Sequence, residues 1–482
     1  MAGRRDAPLL DAPETDRGTR RLLFAMKLLY FLAGFSGASF GRFATLFYLS
    51  PPRNFDARQI GIIESVQPLT NMVGNQLFGY LADCTQRKKF VANASRVITT
   101  ACVVLFLVPD IGCCFLPIVV TMAVSAFFQV GMGVLDAYTL DLLGDARRGE
   151  YGQYRLWTAV SWGVGNFFMG LVAEVDFDYN LMAFGVLNAI GIVAMQMLLP
   201  ARTRGEQAHI AAQMRLTAAA ATATDAGAPT IRAGARMAAA GGGEVDGDEA
   251  AADDAASGGR CLGPLLSPRF VLFLIEAAYF GLAMTVVEKF LFVMLVNELH
   301  ARPTLCGLSV TVTVIIELPI FQYGARLLRC LGHEVMWLLA LLAYAIRTYG
   351  YTWLTPSTVW WVLALEVLHG VTFGMMWTVA VDKIDAEFPQ RWKATGQMTL
   401  NTAQNCIGRV AGSLVGGFYL YHGQLFGMHG GRALYTLAAI SSATLLVLHA
   451  GVSALLRLCG SRALMTPPPP REQRAAVGRP VN

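Results

Sequence analysis

Apolar runs of about 20 residues recur along nearly the whole chain, and this repetition restricts the fold more than any other feature. A helix rises about 1.5 Å per residue, so a run of that length crosses a hydrocarbon core roughly 30 Å thick. The runs fall near residues 22–49, 60–82, 90–109, 115–143, 152–174, 180–199, 268–297, 304–327, 335–354, 358–381, 393–420 and 432–458, about twelve in all. Backbone N–H and C=O groups find no water inside a bilayer, so such runs must be helices that satisfy themselves. Composition agrees. The 482 residues are 55% hydrophobic and 15% charged, with a mean hydropathy of +0.47. A soluble domain would carry about 25% charged residues. The expected class is an all-α, multi-pass integral membrane protein embedded in the lipid bilayer.

The cationic residues are not spread evenly between the runs. Arg4, Arg5, Arg17, Arg20, Arg21 and Lys27 precede or open the first run. Alternate loops then carry Arg87 to Lys89, Arg147 with Arg148, Arg326 with Arg329, and Arg391 with Lys393, and the last tail carries Arg457, Arg462, Arg471 and Arg474. The opposite loops are poorer in Lys and Arg, and one is acidic (Glu174, Asp176, Asp178). Lys and Arg accumulate on the cytosolic side, which places both termini there and agrees with an even number of spans. The formal charge of +5 follows from this placement and calls for no nucleic-acid partner. No cleavable signal peptide is read ahead of the first run. The nine cysteines form neither CxxC pairs nor a disulfide framework.

Residues 201–262 are rich in Ala, Gly and Thr and end near the acidic run Glu244 to Glu249. Such a segment cannot bury enough apolar surface to fold, and is expected to be a disordered cytosolic linker. The expected organisation is a cytosolic N-terminal tail (1–21), a six-helix bundle (22–200), the linker, a second six-helix bundle (263–460) and a Pro-rich cytosolic tail (461–482). Two pseudo-symmetric bundles joined in this way suggest a central site between them.

The stretch from Gly131 to Asn166 holds the sharpest chemistry. It places Asp136 and Asp141 in one apolar segment, and Arg155, Trp162 and Asn166 in the next. A carboxylate and a guanidinium in helices this apolar are costly to desolvate and must face a cavity or each other. Arg155 and Trp162 are two helical turns apart and share a face. A carboxylate, an arginine fork and an indole plate make a receptor for a polar, flat-sided solute; equally, the charges could form a structural pair that positions two helices. Glu64, Gln67, Asn71 and Asn75 give the second span one polar stripe, with Asn71 a further candidate toward the solute.

The turn Gly79-Tyr80-Leu81-Ala82-Asp83-Cys84-Thr85-Gln86-Arg87-Lys88-Lys89 resembles the gating loop of the major facilitator superfamily, with Cys84 and Gln86 departing from its usual Arg and Gly. The resemblance implies that Gly79 permits close helix approach, that Asp83 caps or pairs with a neighbouring helix end, and that Arg87 and Lys88 hold the loop at the interface. Further stretches narrow the resemblance to the lactose-permease-type and MFS-1-like proton symporters: Tyr151 to Trp157, Glu317 to Phe321 and Leu368 to Phe373. Carried over by motif, Asp136 and Arg155 would bind a sugar-like solute and Trp162 would stack on it; relatives sharing this motif carry nucleosides or aromatic acids. Arg347 and His369 match the arginine and histidine of the symporter's proton-coupling cluster. Thr372 replaces its acidic residue one turn after the histidine, which leaves Glu317 or Glu366 as the proton carrier. A permanent Glu317–Arg347 pair with no proton movement is the other reading.

Arg42 is expected to neutralise Glu64, and Glu288 to pair with Arg409, both as structural charge pairs, while Lys289 snorkels outward. Gly408, Gly412 and Gly416, and likewise Gly34, Gly37 and Gly41, are expected to let their spans pack closely. No cofactor is implied, and no metal-ligand spacing, nucleotide loop or nucleophile elbow suggests an enzyme. The function expected is secondary active transport of a small polar organic solute, coupled to protons, by a monomer in the plasma membrane or an endomembrane. An uncoupled facilitator or exchanger, or a transport-incompetent receptor or scaffold, fits the same fold.

Overall fold

A computed structural model describes residues 17–147, 150–225, 267–388 and 392–466. Most of the two expected tails and residues 226–262 of the expected linker lie outside them. The first half comprises α1 (Arg17–Phe40), α2 (Ala44–Leu49), α3 (Ala57–Thr85), α4 (Lys88–Val104), α5 (Pro109–Gly112), α6 (Phe115–Phe128), α7 (Gly131–Arg147), α8 (Tyr151–Ala173) and α9 (Phe177–Leu198). After α10 (Arg204–Asp225), the second half comprises α11 (Pro268–Val293), α12 (Pro303–Tyr351), α13 (Val362–Glu387), α14 (Lys393–Asn401), a π-helical turn (Thr402–Gly408), α15 (Arg409–His422), a two-residue hairpin of β1 (Gln424–Leu425) and β2 (Met428–His429), and α16 (Gly430–Leu458).

Among the described residues, nine helical segments are long and apolar enough to cross a membrane. One of them, α12, runs 49 residues but reverses at Gly332, whose φ of 77° and ψ of 164° suit a residue without a Cβ, so it supplies two crossings. The 29-residue α3 and the run 393–422 are long enough but more polar. With them the chain makes the twelve crossings expected from the sequence. Helix starts follow local chemistry. Asp56 and Gln59 form a reciprocal capping box at α3, and Ser267 caps α11 just ahead of Pro268.

Each half is built around a glycine-notched pair. In the first, Cβ atoms at Gly34 and Gly37 of α1 would lie 2.3 Å from Thr158 O and 3.2 Å from the Trp162 ring on α8. In the second, Cβ atoms at Gly408 and Gly412 would lie 2.3 Å from Ala278 O and 2.5 Å from Leu282 O on α11. Only small residues allow backbones this close, and inside a bilayer such van der Waals packing replaces the hydrophobic drive.

The halves meet at the end remote from the start of α1 and the end of α16. There Gly61 of α3 sits against Gly417 of α15, and Gly170 of α8 against Thr304 and Gly307 of α12. Thr311 Oγ1 donates to Gly163 O at 2.8 Å. At the other end, among the described residues, nothing lies within 4 Å of where a Cβ at Gly79, Gly133 or Gly152 would project. The molecule is pinched at one end and open at the other.

Residues 204–225 correct the linker expectation: they are helical. Thr203 and Glu206 cap α10 reciprocally, and buried Glu206 also accepts the Lys88 N–H at 2.8 Å, so the start of the segment is docked on α4. Composition alone missed that anchor. After α16, Ala463, Leu464 and Met465 turn back and are buried. Met465 N–H donates to Glu334, which also bonds His449, and His449 bonds Glu276 on α11. Lys383 Nζ donates to Leu464 O at 3.1 Å.

Candidate functional site

In the first half, Arg155 Nη1 donates to Asp136 Oδ2 at 2.6 Å. The two side chains remain 48% and 22% exposed, so this pair is wet. Tyr30 OH donates to Asp136 Oδ1 at 2.8 Å, and Tyr151 lies within hydrogen-bonding reach of both charges. Arg155 continues the α8 stripe of Gly163, Asn166 and Gly170 that meets α12 farther along, but at the end where the halves stand apart. Trp162 lies two turns on, its ring seated over Gly37 and Gly41 at 3.2 and 3.0 Å from their would-be Cβ positions.

The structure separates Asn71 and Asn166 from that pair. The path of the fourth crossing breaks between α6 and α7, where Gln129 has φ −77° and ψ 55°. Asn71 Nδ2 donates to Ala126 O and Gln129 O, both at 3.1 Å, and its Oδ1 accepts from Asn75. It bonds Gln129 O and shares Ala126 O with the Gln129 N–H, a role at the break that occupies its polar atoms. Asn166 is 0% exposed, with Nδ2 bonded to Trp162 O, and its backbone lies in the α8–α12 contact. Neither bonds Asp136 or Arg155 among the described residues.

In the second half, Arg347 donates to both carboxylate oxygens of Glu366 at 3.1 Å and to His369 Nδ1 at 2.6 Å. Tyr351 bonds both Arg347 and Glu366. Arg347 and Glu366 side chains are 1% and 3% exposed, so this cluster is dry. The expected alternative of a Glu317–Arg347 pair is not present: Arg347 is saturated by Glu366, His369 and Tyr351. Among the described residues, Glu317 on α12 makes no hydrogen bond or ion pair, and its backbone abuts Gly370 on α13. The roles of Tyr30, Tyr151 and Tyr351 were not legible beforehand, because a tyrosine in an apolar helix looks like packing.

Between the halves runs a chain of charges. Glu288 pairs with Arg409 at 3.0 Å. The Arg42–Glu64 pairing is corrected: Arg42 donates to the Glu288 backbone oxygen at 3.1 Å, and Glu64 pairs with Lys289 at 2.5 Å. Lys289 therefore points inward to a carboxylate rather than snorkelling outward. Gln67 also donates to Glu64, and both Gln67 and Lys289 line an 80 Å³ cavity with Gly37, Gly41 and Gln129. Neighbours in sequence, Glu288 and Lys289 both tie α11 to the first half.

The loop at residues 79–89 also differs from its expected arrangement. Among the described residues, no atom lies within 4 Å of where a Cβ at Gly79 would project. The exposed Asp83 side chain has no partner among the described residues, while its carbonyl accepts from Gln86. Lys88 is buried and pairs with Asp141 at 2.6 Å within its own half. Arg87 remains exposed at the start of α4.

The model of the MFS_1 like family matches residues 23–428. The chain belongs to that family. The transporter is also 25% identical to a maltose permease of Geobacillus stearothermophilus over 403 residues, covering 83% of this chain and 88% of that one. It is 27% identical to major facilitator superfamily domain-containing protein 6-like protein B of Xenopus laevis, over 154 residues that cover 32% of this chain and 24% of that one. Among solved structures, the nucleoside transporter NupG aligns with a TM-score of 0.67 at 14% identity, covering 89% of this chain and 98% of that one. A bacterial homologue of the lysosomal transporter Spinster, in an inward-facing conformation, aligns with a TM-score of 0.61 at 14% identity, covering 90% and 96%. The fold is that of the major facilitator superfamily, and the protein is a membrane transporter of that type.

Proposed function

We propose that the transporter moves a small polar organic solute together with a proton by alternating access, with both termini in the cytosol and the open end facing it. The observation that carries this reading is the wet Asp136–Arg155 pair on the face of α8 that otherwise meets the second half. A buried pair serving only to fix two helices would be dry, as Arg347–Glu366 is. A pair reachable from the open end can exchange its partner hydrogen bonds for those of a solute, and Trp162 two turns deeper offers a flat face. The solute class is one with hydroxyl or carboxylate groups and a ring: sugar-like, nucleoside or aromatic acid. Glu317, the core carboxylate without a fixed cation, is the proposed proton carrier; Glu366 is committed to Arg347 and Tyr351.

The test is uptake, and external pH change in de-energised cells, as each solute class is added. Alkalinisation with one class is expected, lost in Glu317→Gln while solute exchange persists. Arg155→Lys keeps the charge but loses the fork geometry, and should lower uptake about 10- to 100-fold, the size of one charge-assisted hydrogen bond of about 1.5–3 kcal/mol. Normal uptake by Arg155→Lys at normal surface level overturns the site, and unchanged pH coupling in Glu317→Gln overturns the carrier.

A further inference from the structure

A second polar feature lies outside the transport path. Arg87, Phe90, Pro200, Ala201, Arg202 and Gln207 line a groove of 570 Å³ where α4 begins and α9 ends. Neither Arg87 nor Arg202 makes a side-chain hydrogen bond or ion pair among the described residues. The carboxylates behind them are already engaged: Asp141 holds Lys88 Nζ and Thr203 Oγ1, and Glu206 holds the Lys88 and Thr203 N–H groups. Lys89 is turned away, donating to Gln196 O and Leu199 O at 3.0 and 2.7 Å. Among the described residues, the groove therefore presents two guanidinium groups without a carboxylate partner.

Its position says what they face. Both helices that border the groove end there, at the level where a bilayer's hydrocarbon gives way to headgroups. Below it, each helix shows an exposed apolar stripe at helical spacing: Phe90 and Val97 on α4, and Val186, Ile190, Val193 and Met197 on α9. Phe90 and Met197, nearest the groove, are 66% and 78% exposed. Guanidinium forks match phosphate geometry, and basic pockets between spans on the cytosolic side suit anionic headgroups.

We infer that this groove binds the phosphate of an anionic phospholipid, with Arg87 and Arg202 donating to its oxygens and its acyl chains lying along the α4 and α9 stripes. A free soluble phosphate would use the same two arginines but not the stripes.

The test uses the full chain in nanodiscs of phosphatidylcholine containing phosphatidylglycerol, with the lipids that stay bound after extraction counted by native mass spectrometry. Wild type should retain phosphatidylglycerol several-fold above its share of the disc, and Arg87→Gln/Arg202→Gln should return that ratio to one, while Arg457→Gln leaves it unchanged. Retention at the bulk ratio in wild type, or equal enrichment in the double variant, overturns the proposal, and the wild-type arm stands even if the variant fails to fold. Displacement of the lipid by millimolar inorganic phosphate would make it a free-anion site and overturn the lipid assignment.

Discussion

Replacing Lys289 by Met should unlock the pinched end of the transporter. The Glu64 side chain is 0% exposed, its Oε2 lies 2.5 Å from Lys289 Nζ, and its Oε1 has no partner. Without Lys289, the carboxylate keeps only the Gln67 amide at 2.9 Å. Leaving one member of a buried pair uncompensated costs about 3–5 kcal/mol, and the surviving hydrogen bond argues for the low end, about 3 kcal/mol. On the proposed cycle α3 and α11 part here in the opposite conformation and Glu64 meets water, so the cost falls on the pinched state alone. About 3 kcal/mol is roughly two decades in population. Spin labels at Arg58 and Tyr421, exposed at the pinched ends of α3 and α15, report the opening by double electron–electron resonance, with exposed Cys84, Cys114, Cys330 and Cys459 changed to Ser. The long-distance population should grow in Lys289→Met and fall back in Glu64→Gln/Lys289→Met, where no bare charge remains. Equal shifts in the single and double variants would refute the reasoning, since the charge would then not be the cause.

Three further perturbations test other parts. Gly61→Val places side-chain atoms where a Cβ already comes within 2.6 Å of Ser413 O; it should depopulate the same pinched state and abolish net uptake, read by the same spin labels and by flux. Asn71→Ala removes the side-chain donor to Gln129 O and leaves Ala126 O with the Gln129 N–H alone, at about 1–3 kcal/mol of stability, and a thermal-shift assay in detergent should show Tm falling by about 2–4 °C per kcal/mol. Glu206→Ala removes the carboxylate that holds the Lys88 and Thr203 amides, so amide exchange across 204–218 should accelerate while exchange in α8 stays unchanged.

How much the sequence disclosed depended on how local each relation is. The crossings were legible because each is a continuous run, and even the reversal at Gly332 falls between two expected spans. The Asp136–Arg155 pair was legible because its helices are consecutive and joined by a short turn. Partners from distant helices were not. Glu64 had two candidate cations in reach of a sequence argument, and the register of α11 against α3, set by side-chain packing across the halves, selects Lys289 over Arg42. The same limit hid the dry cluster: Arg347 could have met Glu317 or Glu366, and only the packing of α12 on α13 assigns it Glu366. For Asn71 and Asn166, polarity in a span suggested a solute site, but it did not disclose the bonds that Asn71 makes at a helix break and Asn166 makes within its own helix.

The strap of Ala463 to Met465 has a consequence for the order of biogenesis. Its backbone closes on Glu334 and Lys383, and through His449 on Glu276 of α11, whose span is inserted some two hundred residues earlier. Domains generally complete their packing in the order in which they are synthesised. The first half has the contacts internal to it in hand by Glu206 and can set before the second begins, its ties to Lys289 and Gly417 following later. Trp337 of α12 already donates to Glu276, but the chain Glu276–His449–Glu334 closes only once the final span and Met465 after it have arrived.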